Sequence, residues 1–240
     1  MNQLYLFINS IKYSIYNNLI SFYQTIIGLW YDFVMGNTTK HLYPSFFKSI
    51  PSNSNILDIG IGTGIVTKNA DTIKKKHLHI TGIDINKHYL DICHKKIEDW
   101  DLHSNIKTYY GNIFNYNTDI KYDYVLFCDS YSVIPNVNDI IDHTTKYLAE
   151  NGKIVVITTL DDEGGLLYSF RKWIKPRLVN FIGTEFGELI SYNSIINTFQ
   201  KKYCISDCKI IKNKWFPIYG RVTIYMITMY PKDSNLYTNH

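Results

Sequence analysis

The chain has 240 residues, of which 45% are hydrophobic and 19% charged, and its net charge is +4. This length fits one large domain, or one domain with an appended segment, and the composition excludes a disordered chain. The charge is modest and no long basic tract occurs, so nucleic acid is not an expected partner.

Residues 3–34 read as a helix, because Leu4, Ile8, Ile11, Ile15, Leu19 and Phe22 recur at the three- and four-residue steps of one helix face. Gly36 punctuates, a shorter helix follows over 38–49, and Pro51 with "SNSN" marks a turn. From residue 54 apolar runs alternate with amphipathic stretches. "NILDIG" reads as a strand, 64–75 as a helix, "HLHITGIDI" as a strand, "NKHYLDICHKKIEDW" as a helix and "NIKTYYGNI" as a short strand. "YDYVLFCD" lacks polar alternation and reads as a strand buried on both faces. Residues 136–149 read as a helix, and "GKIVVITTL" as another buried strand. Such repeated strand–helix units imply a parallel sheet with helices on both faces. Toward the end, 164–182 is amphipathic and interrupted at Pro176, and 191–202 reads as a helix. Two strands, "YCISDCKIIKN" and "RVTIYMITMY", then share a link short enough for a hairpin, which would make the last strand antiparallel. "KDSNLYTNH" reads as a tail.

Gly60, Gly62 and Gly64 crowd into five residues directly after the first strand of this series. Glycine in a structured segment costs roughly 0.5–1 kcal/mol relative to alanine, so something must need to approach that backbone closely. A glycine-rich turn from strand to helix presents N–H groups to a ligand. The dinucleotide fingerprint G-x-G-x-x-G/A is not met, because Ile65 stands where its third small residue belongs.

"LDIGIGTG" resembles motif I of class I S-adenosylmethionine (SAM) dependent methyltransferases, D/E-x-G-x-G-x-G. The resemblance continues through "GIDIN", the acidic ribose-binding motif, then "GNIF", then "YDYVLFCDSYSVIP", and spans about residues 54–160. It implies an α/β, Rossmann-like SAM-methyltransferase fold, with a seven-stranded sheet whose last strand is antiparallel. An N-terminal helical cap over 1–50, a SAM-binding domain over 51–232 and a tail over 233–240 would make up the chain. By the same resemblance SAM is the cofactor, held by the glycine loop of Gly60, Gly62, Thr63 and Gly64. Asp84 would accept from both ribose hydroxyls, and Asp58 would reach the amino-acid end. Asn112 would meet the adenine edge, Ile85 and Ile113 would sandwich its ring, and Cys128 at the end of the fourth strand completes the set. "LWYDFVMG" resembles the Tyr-Asp element that closes over SAM in quinone-type enzymes, which brings in Tyr31.

The loop after the fourth strand faces the methyl group in this architecture. It carries neither D/N-P-P-Y/F nor a Pro-Cys nucleophile, and no His stands at 132 or 133. "SYSVIP" resembles members that modify lipids, quinones and related small molecules, so the expected partner is a small-molecule or lipid-like substrate. Asp129 and Tyr131 are the candidates for the substrate side; His143, on the next helix, reads as a surface residue. No metal is expected, since methyl transfer is an in-line displacement carried mostly by alignment and desolvation. "KWIKPRLVNFIGTEFG" would form a second lid wall, with Arg171 or Arg177 for an anionic group. Two other readings stand beside methyl transfer: transfer of the 3-amino-3-carboxypropyl group of SAM, and a non-catalytic module binding a partner through its aromatic N-terminal helix. Cys93, Cys128, Cys204 and Cys208 show no CxxC pair or zinc spacing. Together with the absence of a leader pattern this fits a cytoplasmic protein, and peripheral membrane contact through helix 3–34 stays open.

Overall fold

The computed structural model describes residues 41–161, 190–216 and 220–232. The helix over 3–34 with Tyr31, the segment 164–182 and the tail 233–240 lie outside the described residues.

The chain enters through α1 (Leu42–Ser49) and β1 (Asn55–Ile59), then passes a 3₁₀ turn (Ile65–Asn69) into α2 (Ala70–Lys75). It continues through β2 (His79–Asp84), α3 (Lys87–Asp99), β3 (Ile106–Tyr110) and β4 (Tyr122–Cys128). The remaining elements are α4 (Val137–Thr144), β5 (Leu148–Asp161), α5 (Tyr192–Gln200), β6 (Tyr203–Phe216) and β7 (Gly220–Pro231). The seven strands form one sheet in the order β3-β2-β1-β4-β5-β7-β6. Strands β1 to β5 pair in parallel, and β7 runs antiparallel to both β5 and β6, as the short hairpin link required.

Alternation along the strands sorts the core into two layers. Ile56, Ile80, Leu126 and Val155 join α1, α2 and α3 in one buried cluster, through Phe46, Ile73 and Leu90 among others. Leu57, Val125, Phe127 and Val156 join α4 and α5 in the other, through Ile141 and Phe199. Helix α1 is therefore part of the core. Its Phe46 meets Tyr124 of β4 edge-on at 5.5 Å. The ammonium of Lys76, just past α2, donates to the carbonyls of Phe47 (2.5 Å) and Ile50 (2.6 Å), satisfying the end of α1 as a basic side chain can.

Three boundaries differ from the sequence reading. The helix expected over 64–75 opens as a 3₁₀ turn, because the amide and hydroxyl of Thr67 both donate to the Gly64 carbonyl at 3.1 and 2.9 Å. The helix expected over 136–149 is α-helical only to Thr144: the hydroxyls of Thr144 and Thr145 take the carbonyls of Ile141 and Asp142, and Leu148 already pairs with Tyr122. Most of "KWFPIYG", read as a link, is strand, since pairing continues to Phe216↔Gly220.

The order of the strands fixes the place of a site. From β1 the chain builds outward to β2 and β3, then returns to the other side of β1 with β4 and β5. The carboxyl ends of β1 and β4 therefore flank the point where the order reverses, where open α/β sheets carry their ligands.

Candidate active site

Four loops meet at that edge, and their backbones are stitched together. The amides of Gly60 and Ile61 donate to the Ile83 carbonyl at 2.8 and 3.3 Å, Gly111 donates to Asp84 at 3.0 Å and Asp129 to Ile157 at 2.8 Å. The hydroxyl of Ser130 donates to the Ile59 carbonyl at 2.6 Å. Gly60, Gly62 and Gly64 have φ of 79°, 58° and 74°, the left-handed region that glycine enters without steric strain. A Cβ on Gly62 would meet nothing nearer than the Gly60 carbonyl at 4.0 Å, so the middle of the loop presents open backbone.

Asp84 ends β2 directly beneath this loop. Its Oδ2 accepts from the Gly62 amide and its Oδ1 from the Asn86 amide, both at 2.8 Å. Burial raises the pKa of Asp84, and the bonds from the amides of Asn86, Gly62 and Ile85 oppose that rise.

Asp58 is fully buried. The Tyr43 hydroxyl, from α1, donates to its Oδ2 at 2.7 Å, while Oδ1 has no partner among the described residues. Burial pushes the carboxyl up to about 7; the Tyr43 bond opposes this and the Asp84 charge adds to it. Tyr43 itself is raised well above the usual phenol range, by burial first and then by the Asp58 charge. The Cys128 thiol joins the group, raised by burial and by the Asp58 and Asp129 charges.

The other candidates separate into rim and core. Ile85 is 70% exposed beside Asp84, and Asn112 is exposed, its side-chain oxygen accepting the Phe114 amide at 3.0 Å. Ile113 is 3% exposed and belongs to the second core cluster. Thr63 is buried in the loop. Asp129, at the tip of β4, has φ 60°. Tyr131 is only 6% exposed, stands edge-on to Phe199 at 5.6 Å, and donates to Asn138 at 3.2 Å. Burial pushes its phenol up to about 12, and its ring supports the loop from the core side. His143, read as surface, is half-buried with its ring 4.7 Å from that of Phe114. Tyr31 lies outside the described residues.

Two residues here carried no sequence signal. Tyr43 sits fifteen residues before its partner in a helix without a motif. Ser130 lies so close under Gly60 that a Cβ there would stand 2.8 Å from it.

A buried carboxylate with one unpartnered oxygen, an open glycine backbone and an acid at the second strand end fit a ligand with a cationic end and a ribose. Comparison with known proteins points the same way. The sequence matches the family model described as "Methyltransferase domain" over residues 35–201, well over half the chain. No curated protein matches it by sequence. Among solved structures, a SAM-dependent methyltransferase from Thiobacillus denitrificans in complex with S-adenosyl-L-homocysteine is similar at 11% identity and TM-score 0.61, covering 84% of this chain and 97% of that one. A Haemonchus contortus phosphoethanolamine N-methyltransferase 2, in complex with phosphomonomethylethanolamine and S-adenosylhomocysteine, is similar at 14% identity and TM-score 0.62, over 85% of this chain and 56% of that one. A putative sarcosine dimethylglycine methyltransferase from Galdieria sulphuraria is similar at 13% identity and TM-score 0.58, over 80% and 84%.

Proposed function

This chain belongs to the class I SAM-dependent methyltransferase family, and on that premise we propose that it transfers the methyl group of SAM to a small-molecule acceptor, with small amines the first class to test. The observation that carries the cofactor assignment is the buried Asp58 with its unpartnered Oδ1, set beside the open backbone of the Gly60–Gly64 loop. Two structural relatives support the acceptor class: their names place them on phosphoethanolamine and on sarcosine and dimethylglycine.

In this reading Asp58 binds the cationic amino-acid end and Asp84 the ribose. Exposed Ile85 covers one face of the adenine and Asn112 lies at its edge, while Ile113 backs the pocket from the core. Bound SAM supplies an electrophilic methyl on a sulfonium, which leaves S-adenosylhomocysteine when the methyl departs. The chain's own part is alignment and exclusion of water. Asp129, whose backbone amide donates to the Ile157 carbonyl at the tip of β4, is the side chain assigned to orient or deprotonate an acceptor. Tyr131, packed beneath it, fixes the loop. Among the described residues no helix is long and apolar enough to cross a membrane.

Calorimetric titration with SAM, S-adenosylhomocysteine and NADH tests the assignment. Micromolar binding of the first two and none of the third is expected, and absence of SAM binding by folded protein would overturn it. Product analysis with an accepted amine then separates two transfers: methyl transfer leaves S-adenosylhomocysteine, and aminocarboxypropyl transfer leaves 5′-methylthioadenosine.

A further inference from the structure

We propose that Tyr43 is a positioning residue of the cofactor site, whose hydroxyl holds one oxygen of Asp58 so that the other is kept for the amino-acid end of the cofactor. The inference rests on the methyltransferase reading above and adds to it a residue from outside the glycine and acidic motifs.

The geometry is rigid from both ends. Tyr43 is 4% exposed, its ring lies 5.8 Å from that of Phe47, and α1 is clasped at its far end by Lys76. From that fixed helix the hydroxyl reaches Asp58 Oδ2 at 2.7 Å. A buried carboxylate left half-partnered is unfavourable by itself, and Oδ1 is in that state. The described groups around it are Tyr43 from α1, Asp84 from the end of β2, Cys93 from α3 with Lys96 acting on that thiol, and Cys128 with Asp129 from the end of β4. Those at the carboxylate are neutral or acidic. None of these described groups offers Oδ1 a cation, and the ammonium of the cofactor's amino-acid end matches it in charge and donor number. Without Tyr43 the carboxylate loses its one fixed donor and with it a single orientation.

The test compares two ligands that differ in that end alone. S-adenosylhomocysteine carries the ammonium and carboxylate; 5′-methylthioadenosine carries the nucleoside and sulfur without them. Full-length protein and Tyr43→Phe are titrated with both between pH 6 and 8.5. The variant is expected to bind S-adenosylhomocysteine about tenfold more weakly, the scale of one hydrogen bond to a charged group, and 5′-methylthioadenosine within twofold. The Tyr43 bond favours the ionised carboxyl, so the pH midpoint of S-adenosylhomocysteine affinity moves upward in the variant. Equal weakening of both ligands would mean a merely structural role and overturn the inference, as would unchanged S-adenosylhomocysteine binding. The unaltered protein gives a second test: its preference for S-adenosylhomocysteine over 5′-methylthioadenosine grows from pH 6 to 8, and a flat preference overturns the inference even if the variant does not fold. Failure of the unaltered protein to bind either ligand would refute the cofactor assignment itself.

Discussion

The carboxylate of Asp84 receives the amide of Gly62 at 2.8 Å on one oxygen and the amide of Asn86 at 2.8 Å on the other, so one side chain joins the glycine loop to the start of α3. Replacing it therefore acts on shape and on ligand together. Asp84→Ala is expected to weaken S-adenosylhomocysteine binding ten- to a hundredfold, and to lower stability by about 1–3 kcal/mol through the freed amides. Calorimetry and urea denaturation measure the two effects, and unchanged affinity would sink the ribose assignment.

Glycines 62 and 64 separate binding from folding. At Gly62 (φ 58°) a methyl meets open space, so Gly62→Ala is expected to cost only about 1–2 kcal/mol of stability, from the left-handed backbone, while reducing cofactor affinity more than tenfold. At Gly64 the added Cβ would stand 2.6 Å from the Cys93 sulfur, and Gly64→Ala is expected to cost about 2–4 kcal/mol. Normal cofactor binding by Gly62→Ala would show that the ligand does not lie on that backbone.

Asp58 gives stability a pH dependence of known sign. Its carboxyl is pushed up to about 7 in the fold, against about 3.9 when unfolded. Folding thus favours the protonated form; this contribution is complete below about pH 4 and is lost as pH rises through about 7. The stability of the ligand-free protein minus that of Asp58→Asn is expected to fall across this window and then level off. Urea titrations at half-unit pH steps measure it, and a flat difference would contradict the burial argument.

Asp129 holds φ 60° at the tip of β4, a conformation that Asn also adopts with little strain. Asp129→Asn is expected to fold normally and bind S-adenosylhomocysteine within twofold of the unaltered protein. Its turnover of an accepted amine should fall by at least ~10-fold, the low side of what a positioned acid–base group supplies. Undiminished turnover would leave Asp129 as a loop residue alone.

The parts of this protein written in local pattern were legible. Strands such as "NILDI" and "YDYVLFC" announce themselves by apolar runs, and Gly60, Gly62 and Gly64 by their crowding after one of them. What local pattern lacks is the direction in which a loop side chain turns. Tyr131 and Ile113 follow strand ends like any rim residue, yet both pack into the core, because α4, α5 and their neighbours offer an apolar surface there. The tight turn after Gly64 depends on both donors of Thr67 reaching one carbonyl, and Tyr43 acquires its role only when α1 lies against β1.

The clasp of Lys76 on the last carbonyls of α1 bears on how the molecule opens as well as how it is built. It ties a short helix, at its carboxyl end, to the turn after α2, while Phe46 anchors the same helix on β4. An element held in this way unfolds with the sheet instead of fraying ahead of it. In native-state hydrogen exchange the helical amides of α1 should then be protected nearly as long as those of β1 and β4. The floor of the cofactor site would be in place before any ligand arrives, and binding would have only the outer walls left to order.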